Sequence, residues 1–536
     1  MPKAPDSSED PATIEEPSVK PVQRPVPTLV RAELFGTLFV TGAVVMTIEI
    51  LGTRIIGPVF GVNLFVWSAL LAVTLGSLAT GYYAGGILVD RKPSRLLPGL
   101  VVLTAGVLLG VVPALSHSVL GAAESLGPRG GPLLSATVLF APCLFVLGTI
   151  GPIAARLVTT DLRTAGRGVG SVYAVSTAGS LVGTLVAGFL IVPVFDTGQI
   201  LFGAAMLLTL LGAGSLVWHR RYSALAVVVL PLLGRAAPTP RLPAGIEVRD
   251  RSQSLYGLVE VIDDRNRDVR FLRADHSIIG AQFLRNGAPG FSFIHLLEAV
   301  RCLRPAAKSA LQIGLGTGAL ASALGGHGIT VDVVEIDPTV IRFAGQYFGF
   351  TTLGEIHEED ARTFLHRTAR HYDLIVHDTF TGGTTPEHLL SVEVIRRLHD
   401  VLEPGGVVTL NFVGYQDGPK AQASWAVART LRAVFPVVRA FRDTAPDHDP
   451  DAAGNLIFFA SDKAVELAVP EDVRLEDPSC ERILRTYQGW EVLKQVPEGA
   501  LVTDGNNPLA RLQLPVAAEH FKAMNELLPV EVWLRY

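Results

Sequence analysis

Two textures of hydrophobic and polar positions divide the chain. Runs free of Asp, Glu, Lys and Arg cover 34–48, 55–89, 96–123, 131–155, 168–195 and 197–218. All but the first supply the roughly 20 apolar residues that cross a bilayer core. The first reaches that length only if Glu49 and Arg54 lie inside its helix, neutralising each other or facing neighbouring helices. The pattern predicts six crossings within a multi-pass domain over 31–235. A further apolar stretch, "YSALAVVVLPLLG" at 222–234, has only thirteen residues. It reads as a short interfacial or re-entrant piece, a seventh crossing being the alternative. The pairs Gly81/Gly85 and Gly179/Gly183 are spaced for close helix packing.

From Gly245 the pattern is that of a water-soluble domain. "IEVRDRSQSLYGLVEVIDD" and "DVRFLRADHS" alternate with period two between polar turns, predicting antiparallel strands in a small subdomain over 245–300. Strand and helix then alternate. "SALQIGLG", "TVDVVEID", "YDLIVHD" and "GGVVTLNFV" are the strands, and 318–325, 338–348, 386–402 and 421–434 the helices. Such alternation predicts a parallel, doubly wound sheet over 301–465, with 466–536 as a C-terminal extension. The first thirty residues hold seven prolines and little to bury, and are expected to be a disordered tail, not a signal peptide.

Composition sharpens the division. The chain is 49% hydrophobic but only 18% charged, with a mean hydropathy of +0.38, so part of it belongs in lipid. The net charge of −5 offers no nucleic-acid footprint. Arg91, Lys92, Arg95, Arg156, Arg163, Arg167, Arg220 and Arg221 fall in alternate loops, whereas the intervening loops contribute only Arg129. That bias places the first group in the cytoplasm, and six crossings would return the soluble half there too, in the cell membrane's inner face. Cys143, Cys302 and Cys480 form no CxxC pair, so neither a disulfide framework nor a thiolate metal site is expected, and a reducing compartment fits.

Candidate chemistry begins at "QIGLGTGAL". Gly314, Gly316 and Gly318 follow a strand and open a helix, where missing side chains allow a sharp turn and close approach to a ligand. Glu335 ends the next strand, nineteen residues after Gly316, where a carboxylate accepts hydrogen bonds from ribose hydroxyls. Asp360 in "EEDARTFL" and Asp378 at the end of "YDLIVHD" follow. Ala319 occupies the last glycine position of the dinucleotide fingerprint, so these acids suit an adenosine of the S-adenosylmethionine type better than NAD. His357, His371, His377 and His388 show no metal-ligand spacing and read as surface or loop residues; no metal is expected.

In combination, "QSLYGLVEV", "LQIGLGTG", "VVEIDPTVIRFAGQYFG", "EEDARTFL", "YDLIVHDTFTGGTTPEHLLSVEVIRRLHDVLEPGGVVTLNF" and "LVTDGNNPL" resemble the polyamine aminopropyltransferases, the spermidine synthase family. The layout is similar to the bacterial form fused to an N-terminal multi-pass membrane region. The resemblance implies an α-helical transmembrane bundle followed by a small β-hairpin subdomain and a Rossmann-like, methyltransferase-type doubly wound sheet. It also implies aminopropyl transfer from decarboxylated S-adenosylmethionine to putrescine or a related amine. By carry-over, Asp378 would accept the amine's proton, as general-base chemistry requires. Gly314, Gly316, Thr317, Gly318, Glu335, Asp360 and Ala361 would hold the donor. Tyr256, Asp275, Phe293 and Thr381 would meet the acceptor.

Several positions depart from the family. Thr317 stands where an acid usually holds the donor's amine, and Thr381 where a second acid grips the acceptor. Phe293 replaces a tyrosine and Gly257 a glutamine. Cations need carboxylates or aromatic faces, so adenosine binding is retained while diamine binding is weakened, unless Glu387, His388 and Asp504 compensate. Two alternatives follow. One is a methyl- or alkyltransferase using S-adenosylmethionine itself, which Thr317 favours. The other is a membrane transporter or sensor whose nucleotide domain only binds. The expected partners are a small amine and the lipid bilayer, with a homo-oligomer possible and no nucleic acid.

Overall fold

The computed structural model describes residues 27–61, 64–159, 165–192, 194–235, 241–381, 383–444, 451–464 and 475–533. The tail expected at 1–30 (but for its last few residues), Arg163, and the boundary at 465/466 lie outside them. The first half consists of α1 (Thr28–Phe60), α2 (Leu64–Arg91), α3 (Leu97–Glu124), α4 (Gly127–Gly148), α5 (Ile150–Val158), α6 (Ala165–Val186) and α7 (Thr197–Trp218). With α4 and α5 taken together, six of these spans are long and apolar enough to cross a membrane. Glu49 and Arg54 both fall inside α1.

Small residues let the helices close in. A Cβ on Gly179 or Gly183 of α6 would strike the α1 backbone at Phe39 or Ala43, so these helices run side by side in one direction. Gly81 and Gly85 of α2 meet Phe145 and Thr149 in the same way. Helices α3 and α7 are antiparallel, Gly99 lying against Ser215 and Gly212 against Leu103. For helices in a bilayer, van der Waals contact and not exclusion of water supplies the attraction.

The alternating directions give the bundle two ends. One carries Glu33, which accepts from Ser215 Oγ, and the Asp90–Arg156 pair. The other carries Phe60 and Arg129, the latter over the Phe65 ring at 5.4 Å. The segment after α7, expected as a short interfacial or re-entrant piece or else a seventh crossing, is helical. It forms a 3₁₀ helix over Tyr222–Val229 and then α8 (Leu230–Arg235). Ala224 packs with Leu103, Ala213 and Leu216, and Pro231 abuts Gly110 halfway along α3. It therefore climbs beside α3 as far as the middle of that helix.

The soluble half begins with β1 (Ile246–Gln253), β2 (Leu258–Asp264), β3 (Val269–Ala274) and β4 (Ser277–Phe283). They pair in sequence order as a four-stranded antiparallel meander, where a hairpin was expected. Next come α9 (Phe293–Leu303), β5 (Ser309–Ile313), α10 (Ala319–Gly326), β6 (Thr330–Glu335), α11 (Pro338–Phe348), β7 (Ile356–Glu358), α12 (Ala361–Arg367) and β8 (Tyr372–His377). The series continues with α13 (Val392–Asp400), β9 (Leu402–Gly414), α14 (Gln422–Arg432), β10 (Val437–Arg442) and β11 (Gly454–Ser461). It finishes with α15 (Pro478–Tyr487), β12 (Glu491–Val492), α16 (Leu509–Leu512), α17 (Leu514–Leu527) and α18 (Val530–Trp533).

The main sheet runs β12-β10-β11-β9-β8-β5-β6-β7. Its strands from β9 to β7 are parallel, but β11, β10 and β12 add antiparallel, so the all-parallel expectation held only for the first part. A second correction concerns sulfur. Cys302 at the end of α9 and Cys480 in α15 form a disulfide, their Cα atoms 5.5 Å apart despite a separation of 178 residues. Helix packing brings together two cysteines whose spacing advertised nothing.

The halves share one core. Ile262, Phe271, Ile278, Met524, Val532 and Trp533 of the soluble half cluster with Ile56, Val59 and Phe60 of α1. Within it Arg273 is fully buried, paired with Glu260 at 2.5 Å and donating to the carbonyls of Val532 and Pro58. Phe60 stacks on Phe521 of α17 at 5.9 Å between centroids. Arg54, expected to satisfy Glu49 or another membrane helix, instead donates to the carbonyls of Ser254 and Leu255 at 2.8 and 3.0 Å.

Candidate functional site

The chain order reverses between β5 and β8, and ligands of doubly wound sheets bind at such a switch point, at the carboxyl ends of the strands. Four acids or turns converge there because each ends a strand or sits one or two residues beyond one: Gly314 after β5, Glu335 at the end of β6, Asp360 after β7 and Asp378 after β8.

Main-chain bonds lock this edge. Asp378 N donates to Ile313 O and Gly314 N to Val334 O, each at 2.9 Å. Gly314 (φ 84) has no room for a side chain, since a Cβ would collide with the Asp378 carbonyl. Gly318 (φ 75) begins α10, and its Cβ would enter the Phe350 ring. Gly316 likewise faces the carbonyl of Ile279 in β4. The glycines thus first draw Asp378, Phe350 and the meander together; the ligand-approach reading alone is incomplete. Thr317 is 7% exposed, with its methyl against Gly280.

Glu335 accepts from Leu315 N at 2.9 Å and from Asp337 N at 3.0 Å, one on each carboxylate oxygen. Burial raises its pKa, with the backbone donors opposing. Each oxygen keeps a lone pair, as an acceptor of two hydroxyls needs. Asp360 caps α12 by accepting from Thr363 N, with Ala361 as the first helical residue. Asp378 is half-buried and takes one hydrogen bond, from Asn411 Nδ2 at 2.9 Å. Burial pushes its pKa up to about 6, the Asn411 bond opposing. At neutral pH it is therefore mostly ionised yet basic enough to take a proton.

The residues expected to meet an acceptor scatter more widely. Tyr256 is 51% exposed at the β1–β2 turn; its pKa is raised by desolvation and by Asp337, Asp360, Glu358 and Glu335. Asp275 sits behind that turn in a left-handed conformation (φ 46), accepting from Leu258 N at 3.0 Å. Burial raises its pKa to about 6. Gly257 is required beside it, because a Cβ would collide with its carboxylate. Phe293 begins α9 and stacks on Phe291 at 5.8 Å. Thr381 is exposed in a tight turn, exchanging main-chain bonds with Thr384.

Among the proposed compensators, Asp504 is already paired with Arg362. His388 Nε2 lies 3.5 Å from Asp360, and the carbonyl of Glu387 accepts from Asn507. His377, read as a surface residue, is fully buried as the last residue of β8.

Sequence reasoning missed two contributors. Ser254 Oγ donates to Asp337 Oδ2 at 2.6 Å, latching the β1–β2 turn to the loop after Glu335. The Ser in "QSLYG" and the second acid of "EID" were in view, but nothing linked them. Helix α17 covers the loop after Asp378. His520 meets Phe380 edge-on at 5.0 Å and approaches Ser277 at 3.1 Å, while Gln513 bonds both main-chain groups of Thr385. Burial lowers the His520 pKa to about 4.

This arrangement can be set beside known proteins. Residues 295–449 match the family model described as the spermine/spermidine synthase domain. The chain is 33% identical over 330 residues to an N-terminal histidine N-methyltransferase of Emericella nidulans, covering 54% of this chain and 58% of that protein. It is 34% identical over 131 residues to a polyamine aminopropyltransferase of Vibrio vulnificus, covering 23% and 43%. The chain thus spans about half the length of these relatives. Among solved structures it is similar to a probable spermidine synthase from Corynebacterium glutamicum, at 19% identity, TM-score 0.35, and coverage of 46% and 86%. Residues 295–449 of the soluble half thus carry a stretch that matches the spermine/spermidine synthase domain.

Proposed function

We propose that the soluble half transfers an alkyl group from a sulfonium donor to an amine, and that the donor is intact S-adenosylmethionine giving up its methyl group. The observation that carries the choice of donor is Thr317. A buried, uncharged side chain packed on Gly280 stands where an acid would hold the ammonium of a decarboxylated donor. The long match to an N-methyltransferase supports the same reading. Glu335 would accept the ribose hydroxyls, Asp360 and Ala361 the adenine, and the turn at Gly314–Gly318 the rest of the donor. The amine attacks the carbon beside sulfur, the new C–N bond forms as the C–S bond breaks, and sulfur keeps the electron pair. Asp378 takes the proton from nitrogen.

Aminopropyl transfer from decarboxylated S-adenosylmethionine is the second reading, favoured by the family match. The full-length protein in lipid nanodiscs, given either donor with putrescine and with a peptide beginning in histidine, separates them by product mass. A methylated product with the intact donor is expected. An aminopropylated product from the decarboxylated donor alone selects the second reading, and no product with either donor overturns both.

A further inference from the structure

We infer that the soluble half, and with it the candidate site, lies on the non-cytoplasmic face of the membrane, opposite the basic loops. The inference goes beyond the reaction and stands whichever group is transferred. It starts from the two ends of the helical bundle. Arg91, Lys92, Arg95, Arg156, Arg167, Arg220 and Arg221 all gather at the end where α2 finishes, α3 begins, α5 finishes, α6 begins and α7 finishes. Arginine and lysine in short loops stay on the cytoplasmic side. The opposite end holds Arg129.

The soluble half is docked on that opposite end. Arg54 and Pro58, in the last two turns of α1, bond Ser254, Leu255 and Arg273, and Phe60 stacks on Phe521. These contacts include the buried Arg273–Pro58 bond and a continuous apolar core. A chain that left α7 at the basic end must therefore cross once more to reach its docking site. The segment 222–235 sets out on that crossing, its contacts running from the basic end to the middle of α3. Eight 3₁₀ residues at about 2.0 Å each and six α-helical residues at about 1.5 Å each span roughly 25 Å, close to a hydrocarbon core of about 30 Å. The 3₁₀ winding lengthens the segment relative to an α-helix of the same residue count. Its packing from Ala224 beside Leu216 to Pro231 beside Gly110 follows that path.

The disulfide is a separate line of support. Cys302 and Cys480 are joined within the soluble half, and such bonds persist in oxidising compartments and are rare in the cytosol. Charge, docking and sulfur chemistry agree on one face. The site then meets its donor and its amine on the non-cytoplasmic face.

The test uses intact cells and a membrane-impermeant maleimide on two full-length variants. Leu353→Cys reports the soluble half, since Leu353 is 95% exposed; Lys92→Cys reports the basic end. Labelling of Leu353→Cys in intact cells, with Lys92→Cys labelled only after permeabilisation, is expected. Shielding of Leu353→Cys until the membrane is opened, or labelling of Lys92→Cys from outside, overturns the inference. A phosphatase fused after Tyr536 of the unmutated chain provides a reading free of substitutions. It should be active, and an inactive phosphatase with a fluorescent protein glowing at the same position would overturn the orientation.

Discussion

Arg54 of the first apolar helix donates to the main-chain carbonyl of Ser254 at 2.8 Å, across 200 residues of sequence. Ser254 in turn bonds Asp337, two residues past Glu335, so a membrane-half cation steadies the wall of the candidate donor pocket. A guanidinium suits this place because its planar fork can serve two carbonyls at once, here Ser254 and Leu255.

Removing that fork should loosen the pocket without unfolding the chain. Each charge-assisted bond contributes roughly 1.5–3 kcal/mol, part of which water restores. Arg54→Ala should speed amide exchange across 253–258 and weaken donor binding about tenfold, with Arg54→Lys in between. Unchanged exchange and affinity would show that the two halves merely touch.

Glu335 gives the most direct check on the donor site. Glu335→Ala removes a carboxylate that also holds Leu315 N and Asp337 N. Affinity for S-adenosylmethionine, or for its thioether product, should fall at least tenfold by calorimetry. Glu335→Gln should fall less, because one oxygen remains to accept. Wild-type affinity in both variants would reduce the loop to a structural turn.

Asp378→Asn keeps the side chain's size but cannot take a proton. Turnover should drop by about 10²–10⁴-fold, with donor binding within a few-fold of wild type. The pKa pushed up to about 6 fixes the pH profile: kcat/KM should rise through about pH 6 as the carboxylate ionises. The same shift has a stability sign. A carboxyl whose pKa is higher folded than unfolded binds more protons when folded, so stability falls as pH rises from about 4 to 6. Asp378→Asn should therefore be more stable than wild type at pH 7 by about 1–3 kcal/mol, and the difference should vanish near pH 4. Equal melting temperatures at both pH values would contradict the raised pKa.

The bond between Cys302 and Cys480 closes a loop of 178 residues. Constraint of the unfolded chain by such a loop contributes about 2–5 kcal/mol. Reductant should lower the melting temperature of the wild type and leave Cys302→Ser unmoved at the lower value. A wild type indifferent to reductant would mean that the bond does not stabilise the fold.

The helices long enough to span, the alternation of strand and helix, and the acids at the strand ends were legible in the sequence. Apolar length, period-two patterning and turn chemistry are local properties, and "LQIGLGTG", Glu335 and Asp378 each announce a strand end by their own neighbours. The sheet's antiparallel strands β10 to β12 were not legible, because a strand's direction is set by its partner and not by its residues. The end of the helical bundle on which the soluble half docks was not legible either, because the contacts of Arg54 and Pro58 with Ser254, Leu255 and Arg273 are set by tertiary packing. Contacts between distant residues were decided only in three dimensions: Arg54 with Ser254, Ser254 with Asp337, Cys302 with Cys480, His520 beside Phe380. None has a spacing that a sequence pattern could carry. Each exists because packing two apolar faces brought hundreds of intervening residues to nothing, and only burial then made a bond between those side chains favourable.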